Sequence, residues 1–96
     1  MITEQIMKKY PNPIRFTMLS TTEEYCIGGA ICLFFNIHTP FPMTFQLATQ
    51  LQKLNKDIPV EVAELKAERI TQYNDMGRFE DAWKVVKDVE MWKEGE

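Results

Sequence analysis

Apolar positions in this chain form one dense block followed by three one-sided stripes. The block, Tyr25-Cys-Ile-Gly-Gly-Ala-Ile-Cys-Leu-Phe-Phe-Asn-Ile37, is the most apolar run of the sequence. A run of this kind suits a buried strand or a buried helix, and what precedes it favours the helix. Ser20-Thr-Thr-Glu-Glu24 holds two overlapping capping boxes, Ser20 with Glu23 and Thr21 with Glu24. In each, a hydroxyl accepts from a first-turn N–H while the carboxylate reaches back to the cap. A core helix is therefore expected over about 22–36. Its Cys26, Gly29 and Ala30 would share a stripe of small residues, beside the bulk of Ile27, Ile31 and Phe34. Two consecutive interior glycines, Gly28 and Gly29, are costly in a helix, so close packing by another helix, or a pocket beside them, should offset the loss.

The stripes come next. Thr39-Pro-Phe41-Pro42 breaks the chain, and Pro42 suits a first helical position. Over about 42–55, Leu47, Ala48, Leu51 and Leu54 line one face, with Thr49, Gln50, Gln52 and Lys53 opposite. Asp57-Ile58-Pro59 restarts a helix over about 58–76, with Val62, Ala63, Ile70 and Tyr73 inward and Glu61, Glu64 and Glu68 in solvent. A last helix over about 79–93 turns Phe79, Ala82, Val86 and Val89 inward, widened by Val85 and Trp92. Glu80, Lys84 and Asp88 form a ladder on its outer side. Upstream of the core block, Thr3 is placed to cap a short helix ending at Pro11-Asn-Pro13. Ile14-Arg-Phe-Thr-Met18 alternates apolar and polar, as an extended arm would.

Between the last two stripes Gly77 is followed by Phe79 two residues on and Ala82 three beyond that. The junction resembles the turn inside a tetratricopeptide unit, which implies a helical hairpin here. Upstream, Lys66 and Ile70 depart from that pattern, and no second copy occurs, whereas solenoids need about three repeats. The expected fold is thus all-α: a single domain, 1–96, of four main helices with a short N-terminal helix and an extended arm.

Composition adds limits. At 45% apolar and 26% charged, neither disorder nor a membrane class is suggested, and the core block falls short of the roughly 20 apolar residues a bilayer span requires. Met1 to Gln5 lack a signal peptide's basic start and apolar region, so a cytoplasmic protein is expected, with Cys26 and Cys32 as reduced thiols. Residues 1–56 hold five Lys/Arg against three Asp/Glu, and residues 57–96 hold six against eleven. The acidic second half argues against nucleic acid as a partner. Leu47-Ala-Thr-Gln-Leu51 resembles the start of a helix-turn-helix, but its would-be recognition helix would present Glu61, Glu64 and Glu68 to phosphate.

Candidate chemistry is thin. His38 is the only histidine, and no nucleophile elbow or helix-start cysteine accompanies it. Cys26, Cys32 and His38 lie six residues apart, unlike zinc ligands in turns. Gly28-Gly29 lacks the spacing and the Lys-Ser/Thr of a phosphate loop. No catalytic residue, metal or cofactor is expected. Aromatic surplus is the remaining feature. Phe41, Phe45, Trp83 and Trp92 exceed what a small core needs, and exposed aromatics concentrate binding energy. The expectation is a non-enzymatic interaction or regulatory module, self-associating through these residues. The alternative is a small-molecule-binding or enzymatic domain with a pocket against Cys26, Gly28, Gly29 and Ala30, and a DNA-binding regulator ranks below both.

Overall fold

The structure, a computed structural model, describes residues 1–15, 25–37 and 44–93. They form α1 (Ile2–Lys9), α2 (Ile27–Phe34), α3 (Thr44–Leu54), α4 (Val60–Asp75) and α5 (Phe79–Met91), with no strand among the described residues. The architecture is the expected all-α bundle. α4 packs most extensively against α3 and α5, while α2 touches every other helix. Ile27 through Cys32 are all buried, as befits a helix apolar on every side.

The bounds of α2 differ from expectation at its start. Tyr25 and Cys26 precede the helix, and Cys26 is its N-cap in extended conformation, φ −74° and ψ 164°. The two capping boxes lie outside the described residues. Long-range bonds explain the later start. The Tyr25 carbonyl accepts from the Ile14 N–H at 2.8 Å. The Ile27 N–H donates to Asn74 Oδ1 at 2.9 Å, 47 residues along the chain, and the Gly29 N–H donates to Cys26 Sγ at 3.2 Å. Gly28 and Gly29 therefore occupy the first turn rather than the interior, and Cys26 is not on a helical stripe with Gly29 and Ala30.

Two helix ends close locally. α2 ends in a left-handed Asn36, φ 67°. The Ile37 N–H donates to the Cys32 carbonyl at 2.8 Å and the Asn36 N–H to Leu33 at 3.0 Å. α4 ends the same way at Gly77, φ 76°, with Arg78 N–H to the Tyr73 carbonyl at 2.8 Å and Gly77 N–H to Asn74 at 3.0 Å. These are paired 6→1 and 5→2 bonds of a Schellman motif. The second produces the α4–α5 hairpin that the Gly77 pattern implied. The Arg78 guanidinium lies over the Tyr73 ring, 4.9 Å from its centre.

Other ends depend on distant side chains. Thr3, expected as a cap, lies inside the first turn of α1, and Met1 is the N-cap with no side-chain bond. The cap comes from Glu90 on α5. Its carboxylate accepts from the Ile2 N–H at 2.7 Å, the Thr3 N–H at 2.8 Å and the Thr3 hydroxyl at 2.6 Å. A carboxylate near the end of α5 opposes that helix's dipole, but it meets the positive end of α1's. Ile6, wholly buried, adds about 1.5–3 kcal/mol of docking. Desolvation pushes the Glu90 carboxyl upward, yet the bonds from Thr3 and Ile2 and the nearby chain-terminal charge outweigh it, and its pKa lies below the ordinary glutamate value.

The remaining stripes pack with local exceptions. Leu47, Ala48, Leu51 and Leu54 are buried as expected, but so is Gln50 of the supposed polar face, 3% exposed. Its Oε1 has no hydrogen-bond partner among the described residues. α4 begins at Val60 with Pro59 as its N-cap, because Ile58 leaves the helix line to fill the core at 2% exposure. The arm is described only to Arg15. There the Ile14 carbonyl accepts from Asn74 Nδ2 at 3.1 Å and Arg15 Nε donates to the Asp75 carbonyl at 2.8 Å. Residues 16–18 lie outside the described set. The Glu80–Lys84–Asp88 ladder does not close, since Arg78–Asp81 at 2.7 Å is the ion pair found among the described residues.

Two outcomes test this scheme. Asn74→Ala orphans the Ile27 N–H and the Ile14 carbonyl, and should lower unfolding free energy by about 2–4 kcal/mol in urea titrations. Glu90→Gln should cost about 1 kcal/mol near neutrality. Because the native carboxyl is more acidic than the unfolded one, its contribution is present above the ordinary glutamate range and fades as pH falls through the lowered native value. The gap between the two proteins should therefore close in acid.

Candidate functional site

Trp92 anchors the candidate surface. Asn55, just after α3, sends its Nδ2 to the carbonyls of Val89, Glu90 and Trp92 at 2.8, 3.2 and 2.8 Å, and its Oδ1 accepts from the Asp57 N–H at 3.0 Å. Terminal carbonyls of a helix need such partners. The effect here is to fix Trp92, in extended backbone at the end of α5, against the flank of α4. The half-buried indole separates two shallow surface hollows. One, of about 390 Å³, is lined by Val62, Leu65, Lys66, Glu68, Arg69, Gln72 and Trp92. The other, of about 380 Å³, is lined by Lys66, Asp88, Met91, Trp92 and Lys93. Leu65 and Met91 stand on either side at 66% and 63% exposure.

The expected interaction residues do not converge. Trp83 is 6% exposed and belongs to the core. Trp92 lines both hollows, which together form a trough along α4. Phe45 is exposed at the start of α3, about ten residues and 15 Å by helical rise from the Asn55 end. Phe41 lies outside the described residues, as does His38. Leu65, Met91 and Val62 were not singled out as interaction residues. The available signal was Leu65, which falls between Glu64 and Lys66 and off the inward face of α4.

The small-residue region around α2 is closed. Gly28, Gly29 and Ala30 are buried, and Cys26 is partly so. A hollow of about 100 Å³ touches Ala30 alongside Tyr10, Pro11, Pro13 and Tyr25, where the two tyrosine rings meet edge to face at 5.0 Å. Pockets for drug-sized ligands run to roughly 300–1,000 Å³. Both cysteines are free thiols. Burial pushes the Cys32 thiol up to about 12, reinforced by Cys26 and opposed by Lys53. Burial also raises Cys26, against the opposing Gly29 N–H. Thiolate, not thiol, is the nucleophile, so neither is poised to attack near neutral pH. No group of three His, Cys, Asp or Glu among the described residues is placed to hold a metal ion. Nor is any described helix long and apolar enough to cross a membrane.

In a thiol-labelling time course at mildly alkaline pH, Cys32 should react only as fast as the protein opens, and Cys26 more slowly than a free cysteine. Prompt labelling of both in the native protein would contradict this assignment. No protein-family model, curated protein or solved structure matches the chain.

Proposed function

We propose that the domain is a non-enzymatic protein-interaction module that self-associates through the α4–α5 face around Trp92, in a cytoplasmic setting where its free thiols stay reduced. The observation that carries this reading is the exposure of Leu65 and Met91 on either side of Trp92, whose backbone carbonyl accepts from Asn55. Large apolar side chains grouped on one surface of a small domain favour a partner, and a tryptophan in a shallow depression is a common energetic centre of interfaces. Trp83, being interior, takes no part. A small-molecule site beside the α2 glycines is less well supported, given the size of the hollow at Ala30. DNA binding is opposed by the exposed Glu61, Glu64 and Glu68 of α4.

Sedimentation across the micromolar range should show mass rising toward twice that of the chain. Trp92→Ala should weaken that association while leaving the fold intact, and Trp92 fluorescence should shift to the blue as dimer forms. A wild-type protein that remains a strict monomer rejects the reading.

A further inference from the structure

The charges on the outer face of α4 are sorted by side, and the sorting specifies how two copies meet. At about 100° per residue, Leu65 sits on the midline opposite the buried Ala63, Ala67, Ile70 and Asn74. Gln72 falls within about 20° of the same line. Glu61, Glu68 and Glu64 then lie at about 40°, 60° and 100° to one side, and Arg69, Val62 and Lys66 at the matching angles on the other. Glu61, Glu64, Glu68 and Arg69 are exposed, and Lys66 partly so. None of these charges forms an ion pair among the described residues. The basic side is the one that borders the Trp92 trough, with Glu68 at its outer lip.

We infer that a second copy of this chain is the occupant of the trough, and that the two α4 helices lie parallel about a two-fold axis running along them. This rests on the self-association proposed above. A two-fold along the helix carries each residue to the same height and the opposite side. The acidic side of one copy thus faces the basic side of the other, with Glu68 meeting Arg69 of the second copy one residue higher. An antiparallel pair would set acid against acid and base against base. Interfaces reject like-charge juxtaposition strongly, so charge selects the parallel form. Leu65 and Gln72 form the seam.

Cysteine cross-linking and charge exchange test the geometry. Leu65→Cys and Gln72→Cys, each alone, should yield covalent dimer under mild oxidation, with wild-type protein as the control for Cys26 and Cys32. In an antiparallel pair centred on Leu65, the two copies of residue 72 would stand about 20 Å apart, and only Leu65→Cys would cross-link. Lys66→Glu with Arg69→Glu, and separately Glu64→Lys with Glu68→Lys, should each weaken self-association by about tenfold or more. An equimolar mixture of the two variants should restore it. These are surface positions, and circular dichroism should show each variant folded. Self-association that persists without the residue 72 cross-link, or that ignores both charge exchanges, overturns the parallel arrangement but not the interaction module. A monomeric wild-type protein overturns both, and binding only to acidic peptides rather than to itself would assign the trough to another partner.

Discussion

The Asn74 amide ties the arm and the start of α2 to α4. Its Oδ1 accepts the first N–H of α2 and its Nδ2 donates to the Ile14 carbonyl, and Asn74 itself is 1% exposed. α2 is enclosed along Ile27 to Cys32, so water cannot serve its unpaired first-turn N–H groups, and a buried orphan costs about 1–3 kcal/mol. A short polar side chain from α4 fills that need. In doing so it fixes the height at which α2 crosses α4 and the line the arm follows toward Arg15.

The same device recurs at two other helix ends. Glu90 closes the start of α1 from 88 residues away, and Asn55 closes the end of α5 from 37 residues away at its furthest bond. Each joins the first part of the chain to the last. With helices of eight residues at α1 and α2, isolated stability is negligible, since short helices are marginal in water. Their persistence comes from docking, and the polar contacts give that docking a single register. Hydrophobic burial supplies the drive but is tolerant of small slides, whereas three bonds to one carboxylate are not.

Position of the candidate surface follows from this scaffold. Asn55 binds the Trp92 carbonyl while its Oδ1 braces the α3–α4 connection, so the backbone at Trp92 is fixed by the frame while its side chain packs against the rim of the core. Leu65, on the opposite side of α4 from the core, has no inward role to explain it. Its flanking charges are segregated, which on a purely solvated face would carry no advantage over mixing. The interaction reading and the parallel arrangement both grow from that combination of a braced aromatic and a sorted helix face.

Local pattern determined much of this protein. Leu47, Ala48, Leu51 and Leu54 of α3 and Ala82, Val85, Val86 and Val89 of α5 are buried where periodicity assigns them, with Phe79 and Trp92 partly buried at the ends, because helical spacing alone decides which residues share a face. Gly77 ends α4 because glycine, lacking a Cβ, adopts the left-handed φ without steric cost. The start of α2, the role of Thr3, the burial of Gln50 and the interior place of Trp83 followed from no local rule. Three of these are settled by what lies far along the chain: Asn74 for α2, Glu90 for Thr3, the packed bundle for Trp83. The sequence therefore determined which segments coil and which side of each is apolar. Only tertiary structure decided where the coils begin, which polar groups turn inward and which apolar groups are left outside, since those depend on what stands opposite.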